Sequence, residues 1–246
     1  MPSIAQNQTK HSPEIKRSME QLMGLAVFGE AVAAKNYLLM AQLKPEYSEI
    51  LKKFASMEAQ HASWFKEGCK KNDVIPDKEF ADGELGYLID QVQDHFNNKN
   101  FEALAVLQGF IVESLAIATY EPYLDIADRF PGTREAFKRA LEEERYHVSW
   151  IIRYFRLRFF DAPEEFLQLT EQTNVQGVDC VGGTMMNIVD ALTTIGLKGA
   201  DCAGRMIECY TSLLEEVGID AKKAEQNVIK IFIPVIRKYR RGERTK

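Results

Sequence analysis

The sequence offers little of what an extracellular, membrane-spanning or nucleic-acid-binding protein needs. Its four cysteines, Cys69, Cys180, Cys202 and Cys209, form no CxxC pair and no metal-ligand spacing. Reduced thiols in a cytoplasmic setting are therefore expected, not a disulfide framework. No uninterrupted apolar run reaches the roughly 18 residues of a membrane span. The opening stretch MPSIAQNQTKHSPEIK has neither a signal-peptide apolar core nor an Arg-rich transit pattern. There is no basic excess: the formal net charge of −5 argues against a nucleic-acid partner. The closing KYRRGERTK reads as a solvated basic tail. Runs of alternating strand character and Pro/Gly/Ser-rich linkers are missing too.

What is present is helical periodicity along nearly the whole chain. A first helix is expected over about 12–43, with Pro13 in its first turn, and a second over 46–71. A shorter one fits 82–97. Two long ones follow, over 100–130 up to Pro131-Gly132 and over 133–160. Three more are expected near 163–195, 200–217 and 220–240, the segment QGVDCVGG obscuring the start of the first. The predicted architecture is all-α: one domain over 13–240, built as a four-helix bundle with a crossover helix and a C-terminal helical layer. Residues 1–12 are expected to be a flexible N-terminus, and 241–246 a basic tail.

Four glutamates stand where periodicity calls for apolar side chains. Glu30 has Met23, Ala26, Val27, Ala33, Ala34 and Tyr37 at its one- and two-turn offsets. Glu113 has Val106, Gly109, Phe110, Ala116, Ile117 and Tyr120 at the same offsets. Glu58 and Glu144 sit on similar stripes, and each has a histidine three residues on, His61 and His147, on its own helix face. Glu142 and Glu143 are rotated off that stripe, toward solvent or a neighbouring helix. Ionised carboxylates in a packed interior must be paired, protonated or metal-bound. Lys35, Lys66, Lys138 and Arg145 lie off these stripes, whereas two divalent cations would balance four carboxylates. One Glu from each of two helices plus Glu-x-x-His from two others is the ligand set of ferritin-like di-iron and di-manganese carboxylate proteins. Carboxylate and imidazole donors suit iron or manganese.

The segments GEAVAAKNY, MEAQHASWF, QGFIVESLAIATYEPYLDIAD, EEERYH and IGLKGADCAGRMIECYTSLLEEVGI are more specific than the ligand set. They resemble those of the aldehyde-deformylating oxygenases, also called long-chain fatty aldehyde decarbonylases. The resemblance implies an eight-helix ferritin-like fold binding two iron ions through Glu30, Glu58, His61, Glu113, Glu144 and His147. It implies Tyr37, Gln108, Tyr120 and Tyr123 near the ligands or the substrate channel. The implied reaction consumes O2 and external electrons and converts a fatty aldehyde into formate and an alkane one carbon shorter. A ferredoxin-type electron donor is implied as a partner, with an acyl-ACP or acyl-CoA reductase as the source of aldehyde.

Small residues one turn from the ligands, Ala26, Ala33, Ala34, Ala55, Ala62, Gly109 and Ala116, suit either a narrow apolar channel or close helix packing. Phe65 and the Met185-Met186 pair read as core. Several features depart from the family pattern: two extra residues near RFPGTRE, acidic and bulky Glu142, Glu143 and Tyr146, large Trp64, and a crossover without paired phenylalanines. They leave open a related oxygenase acting by N-oxygenation or C–C cleavage on another acyl or amine substrate. Iron storage, a radical-generating subunit and a metal-free interaction bundle are further alternatives. The chain continues 99 residues past His147, longer than a storage bundle needs.

Overall fold

The computed structural model describes residues 11–241, apart from the side chains at 174, 176, 180, 236 and 238–240. The N-terminal segment and basic tail lie almost wholly outside the described residues, as does the side chain of Cys180. Cys69, Cys202 and Cys209 are free thiols.

Eight helices follow one another, and there is no strand among the described residues. Helix α1 (Pro13–Leu43) opens as its sequence predicts: Ser12 Oγ accepts the Ile15 N–H at 3.3 Å, and Pro13 occupies the first turn. A 3-10 turn, Pro45–Tyr47, leads into α2 (Ser48–Lys71). Helix α3 (Lys78–Asn97) begins four residues ahead of the expected 82, because Asp77 Oδ1 accepts the Phe80 N–H at 2.9 Å and caps it there.

Helix α4 (Phe101–Tyr123) departs most from expectation. Its middle, Leu107–Val112, is a π turn, and it ends at Tyr123, one residue past Pro122 and well before 130, in a turn where Leu124 N–H donates to Glu121 O. A 3-10 turn at Ala127–Arg129 fills the remainder. Then come α5 (Arg134–Asp161), α6 (Pro163–Ile195), α7 (Gly199–Val217) and α8 (Ala221–Arg240). QGVDCVGG proves to be continuous helix within α6. Its glycines allow close packing: a Cβ on Gly177 would lie 2.9 Å from the side chains of Leu107 and Ile111 on α4.

Helices α1, α2, α4 and α5 form the bundle, α1 against α2 and α4 against α5. Helix α3 crosses over α1 toward α6, and α6–α8 make the additional layer. A single connected apolar core runs from Met19 and Met23 on α1 through Phe54, Phe110 and Phe155 to Tyr210 and Ile231. Two helices, Pro13–Leu43 and Phe101–Tyr123, are after all long and apolar enough to cross a membrane by composition. Each admits one or two charges, which a search for unbroken runs rejects. More than half of each apolar window is buried against other helices, as the centre of a bundle requires.

Candidate metal centre

Each of the four bundle helices delivers its stripe carboxylate to one point. Glu30 comes from α1, Glu58 and His61 from α2, Glu113 from α4, and Glu144 and His147 from α5; none is more than 3% exposed. Their donor atoms fall into two overlapping groups, Glu30, Glu58, His61, Glu144 and Glu58, Glu113, Glu144, His147. Within each group the atoms lie within 4.8 Å of one another, and Glu58 and Glu144 belong to both. Two carboxylates shared between two neighbouring donor sets is the arrangement a pair of bridged ions needs.

Both imidazoles turn Nδ1 inward. His61 Nδ1 lies 3.3 Å from Glu30, 3.2 Å from Glu58 and 3.3 Å from Glu144. His147 Nδ1 lies 3.0 Å from both Glu58 and Glu144 and 3.9 Å from Glu113. In the tautomer that keeps Nδ1 free for a metal, His61 Nε2–H donates to Glu143 Oε2 at 2.8 Å. Glu143 thus reaches a neighbouring helix, as its rotation off the stripe allows, whereas Glu142 is exposed. His147 Nε2 is buried with no hydrogen-bond partner.

The electrostatics show a cluster short of positive charge. Burial, then Glu144 and Glu30, push the Glu58 carboxyl well above the usual carboxylate range. Burial, then Glu144 and Glu58, do the same to Glu113. Burial would also raise Glu144, but His147 and His61 outweigh it and hold that carboxyl well below its usual range. Burial would lower both imidazoles. At His61 it is overcome by Glu144, Glu30 and Glu58, and at His147 by Glu144 and Glu113, so both are raised. Among the described residues no Lys or Arg pairs with any of the four carboxylates, whose ion-pair partners are the two imidazoles. Protons are here the only counter-charge, and the donor set fits two divalent cations far better.

Three of the four further residues singled out in the sequence meet the cluster. Tyr37 donates its hydroxyl to Glu113 Oε1 at 2.7 Å, and Tyr120 donates to Glu30 Oε1. Burial, followed by the adjacent carboxylates, pushes both phenols well above their ordinary range. Gln108 Nε2 donates to Glu113 Oε1 at 3.1 Å, while its Oε1 accepts from Asn36 Nδ2 at 2.8 Å. Tyr123 differs: its hydroxyl donates to Thr133 Oγ1 at 3.1 Å, away from the ligands, although its ring lines the cavity described next. Sequence reasoning missed Asn36, the Glu143 contact and the π turn. The one available signal was the five-residue spacing of Gln108 and Glu113, which shares no face of an α-helix but aligns on a π turn.

A largely apolar, partly open cavity of about 120 Å³ adjoins the cluster. Glu30, Glu58, Glu113 and Glu144 form part of its wall. The rest comes mainly from α1, α3, α4 and α6, including Leu85 and Leu88 on the crossover and Val181 and Ile188 on α6, with Phe137 of α5 and Leu197 beside them. Of the small residues, Ala26, Ala33 and Ala116 face it and Ala34, Ala55, Ala62 and Gly109 do not, so channel and close packing each account for part of the pattern. Phe65 and Met185 are buried outside it, as expected of core, but Met186 is 40% exposed. Trp64 packs on His61 with ring centroids 5.5 Å apart, and Tyr146 is partly exposed under Lys53.

One solved structure, described as "Protein 19 with aldehyde deformylating oxidase activity from Synechococcus", superimposes with a TM-score of 0.84. The match covers 89% of this chain and 98% of that one at 23% sequence identity, which establishes the ferritin-like fold. Residues 12–232 match the family described as long-chain fatty aldehyde decarbonylase, and the chain belongs to that family.

Proposed function

We propose that this protein is a di-iron oxygenase that cleaves a long-chain fatty aldehyde to formate and an alkane one carbon shorter, using O2 and external electrons. Glu30, Glu58, His61 and Glu144 would hold one ion, and Glu58, Glu113, Glu144 and His147 the other. The observation that carries the reading is the cavity whose apolar wall ends on those carboxylates. It suits a hydrocarbon chain with its one polar end at the metals. A storage bundle has no use for such a cavity.

When bound, the two iron ions supply oxygen activation and Lewis-acid polarisation of the aldehyde carbonyl. The chain's own residues do the rest. Tyr37 and Gln108 together fix Glu113, and Tyr120 fixes Glu30, so the carboxylates keep their orientation as charge at the site changes. Glu143 fixes the tautomer of His61. Tyr37 and Tyr120 keep their protons in the buried, anionic surroundings and are the nearest hydroxyls from which a proton could pass to Glu113 or Glu30. The aliphatic wall excludes water from the reacting carbons.

A ferredoxin-type protein as donor, an acyl-ACP or acyl-CoA reductase upstream and a cytoplasmic location complete this reading, with 13–240 acting as one unit. The test is to supply reduced, iron-loaded protein with O2 and a panel of aldehydes. Formate and the shortened alkane should appear in equal amounts. Formate without hydrocarbon would unseat the alkane assignment, and absence of both would sink the reading.

A further inference from the structure

His147 is the inner end of a line of touching rings that reaches the surface. Phe54 lies 4.5 Å from His147 between centroids, and Trp150 lies 5.8 Å from Phe54. Tyr154 stacks on Trp150 at 5.9 Å with 10° between planes, and its hydroxyl donates to Glu102 Oε1 at 2.9 Å. Phe54 is fully buried, whereas Trp150 and Tyr154 are only partly so. Core packing accounts for Phe54. It does not require that the outer two rings be the types that lose an electron most readily, or that the phenol end on a carboxylate. Burial would raise the Glu102 carboxyl, but the Tyr154 hydroxyl, a backbone hydrogen bond and Lys44 outweigh it, so the phenol meets an ionised carboxylate. Indole and phenol rings yield electrons but do not accept them from biological reductants. Such a line therefore conducts only toward a strong oxidant.

We propose that Phe54, Trp150 and Tyr154 form a protective electron relay, with Glu102 as its proton acceptor. The proposal rests on the di-iron oxygenase reading. Its oxidant is the oxygen-oxidised iron pair in a molecule whose cavity holds no aldehyde. Trp150 gives one electron across Phe54 toward His147, and Tyr154 refills the indole. The Tyr154 O–H bond breaks, and its proton goes to Glu102. A small thiol at the surface then returns one electron to the phenoxyl while Glu102 returns the proton. Two such events convert two thiols into one disulfide and two protons.

Two measurements test the relay. The full Trp64→Phe chain, with or without bound metal, keeps Trp150 as its one indole, since the sequence has two tryptophans. Oxidation by azide radical should give an indolyl radical that converts to a phenoxyl radical at a rate independent of protein concentration. Adding Tyr154→Phe, which preserves the ring stack, should abolish the conversion, and adding Tyr47→Phe, whose ring also meets Trp150 at 5.5 Å, should not. Persistence of the conversion in the Tyr154→Phe chain overturns the relay. In iron-loaded protein oxidised by O2 without aldehyde, electron paramagnetic resonance should detect an aromatic radical that Trp150→Phe removes. Protein that makes formate from aldehyde but shows no such radical overturns the relay alone. A Trp150-dependent radical in protein that makes no formate supports the relay's electron path and sinks the aldehyde reading.

Discussion

Glu143 adjoins Glu144 in sequence yet serves a histidine on another helix, which shows how little a residue's chain neighbours say about its task. Its carboxylate holds the Nε2–H of His61. Glu143→Ala is therefore expected to weaken metal binding by about 10- to 100-fold, measured as iron(II) affinity against a competing chelator. Tyr123 makes the opposite case. Its hydroxyl bonds Thr133 and no ligand, so Tyr123→Phe should cost about 1 kcal/mol of stability and leave iron content unchanged. Loss of iron in that variant would return Tyr123 to the ligand environment. The six candidate ligand positions stood out because a charge on an apolar helical stripe is costly, and the cost is visible in the periodicity. Asn36 and Glu143 were not, because each acts across a helix interface at a position where a polar residue costs nothing.

At the scale of the element, α4 was readable as a helix but not as an interrupted one. A π turn adds a residue to the backbone without a composition of its own, so the spacing of Gln108 and Glu113 was the one signal that could have shown it, and it went unread. Gly109 sits inside it where α5 comes closest: a Cβ there would lie 2.4 Å from Cδ1 and 2.7 Å from Cγ2 of Ile151. Gly109→Ala should destabilise the protein by about 1–3 kcal/mol, read by denaturant unfolding, as overpacked cores do. Ile151→Val in the same chain should recover part of the loss. If Gly109→Ala alone is neutral, the two helices have room that the geometry denies them. The end of α4 was not legible either: the helix stops at Tyr123, well ahead of Pro131-Gly132.

For the whole molecule, the buried cluster links metal content to pH. Without metal, Glu58 and Glu113 titrate above their unfolded range, and so do His61 and His147. Groups raised in this way favour the folded state below their unfolded values and lose that contribution as pH rises through the folded ones. Glu144 is depressed, so its contribution is lost only in acid, as pH falls through its folded value. Metal-free protein should therefore melt at a lower temperature near pH 8 than near pH 6, while the gain in melting temperature on adding iron(II) should grow over the same interval. Calorimetry of both forms checks this, and a metal-free melting point that rises with pH would count against it.

Helix α6 bears on the whole molecule in another way. It supplies none of the six candidate ligands, yet it closes one side of the cavity through Val181, Ile188 and Leu192. The bundle could gather its ions without this layer, but it would do so beside an open trough. Such a protein would still consume oxygen, its oxidising power spent on solvent and on its own side chains. On the proposed reading, this layer is what would couple oxygen consumption to product.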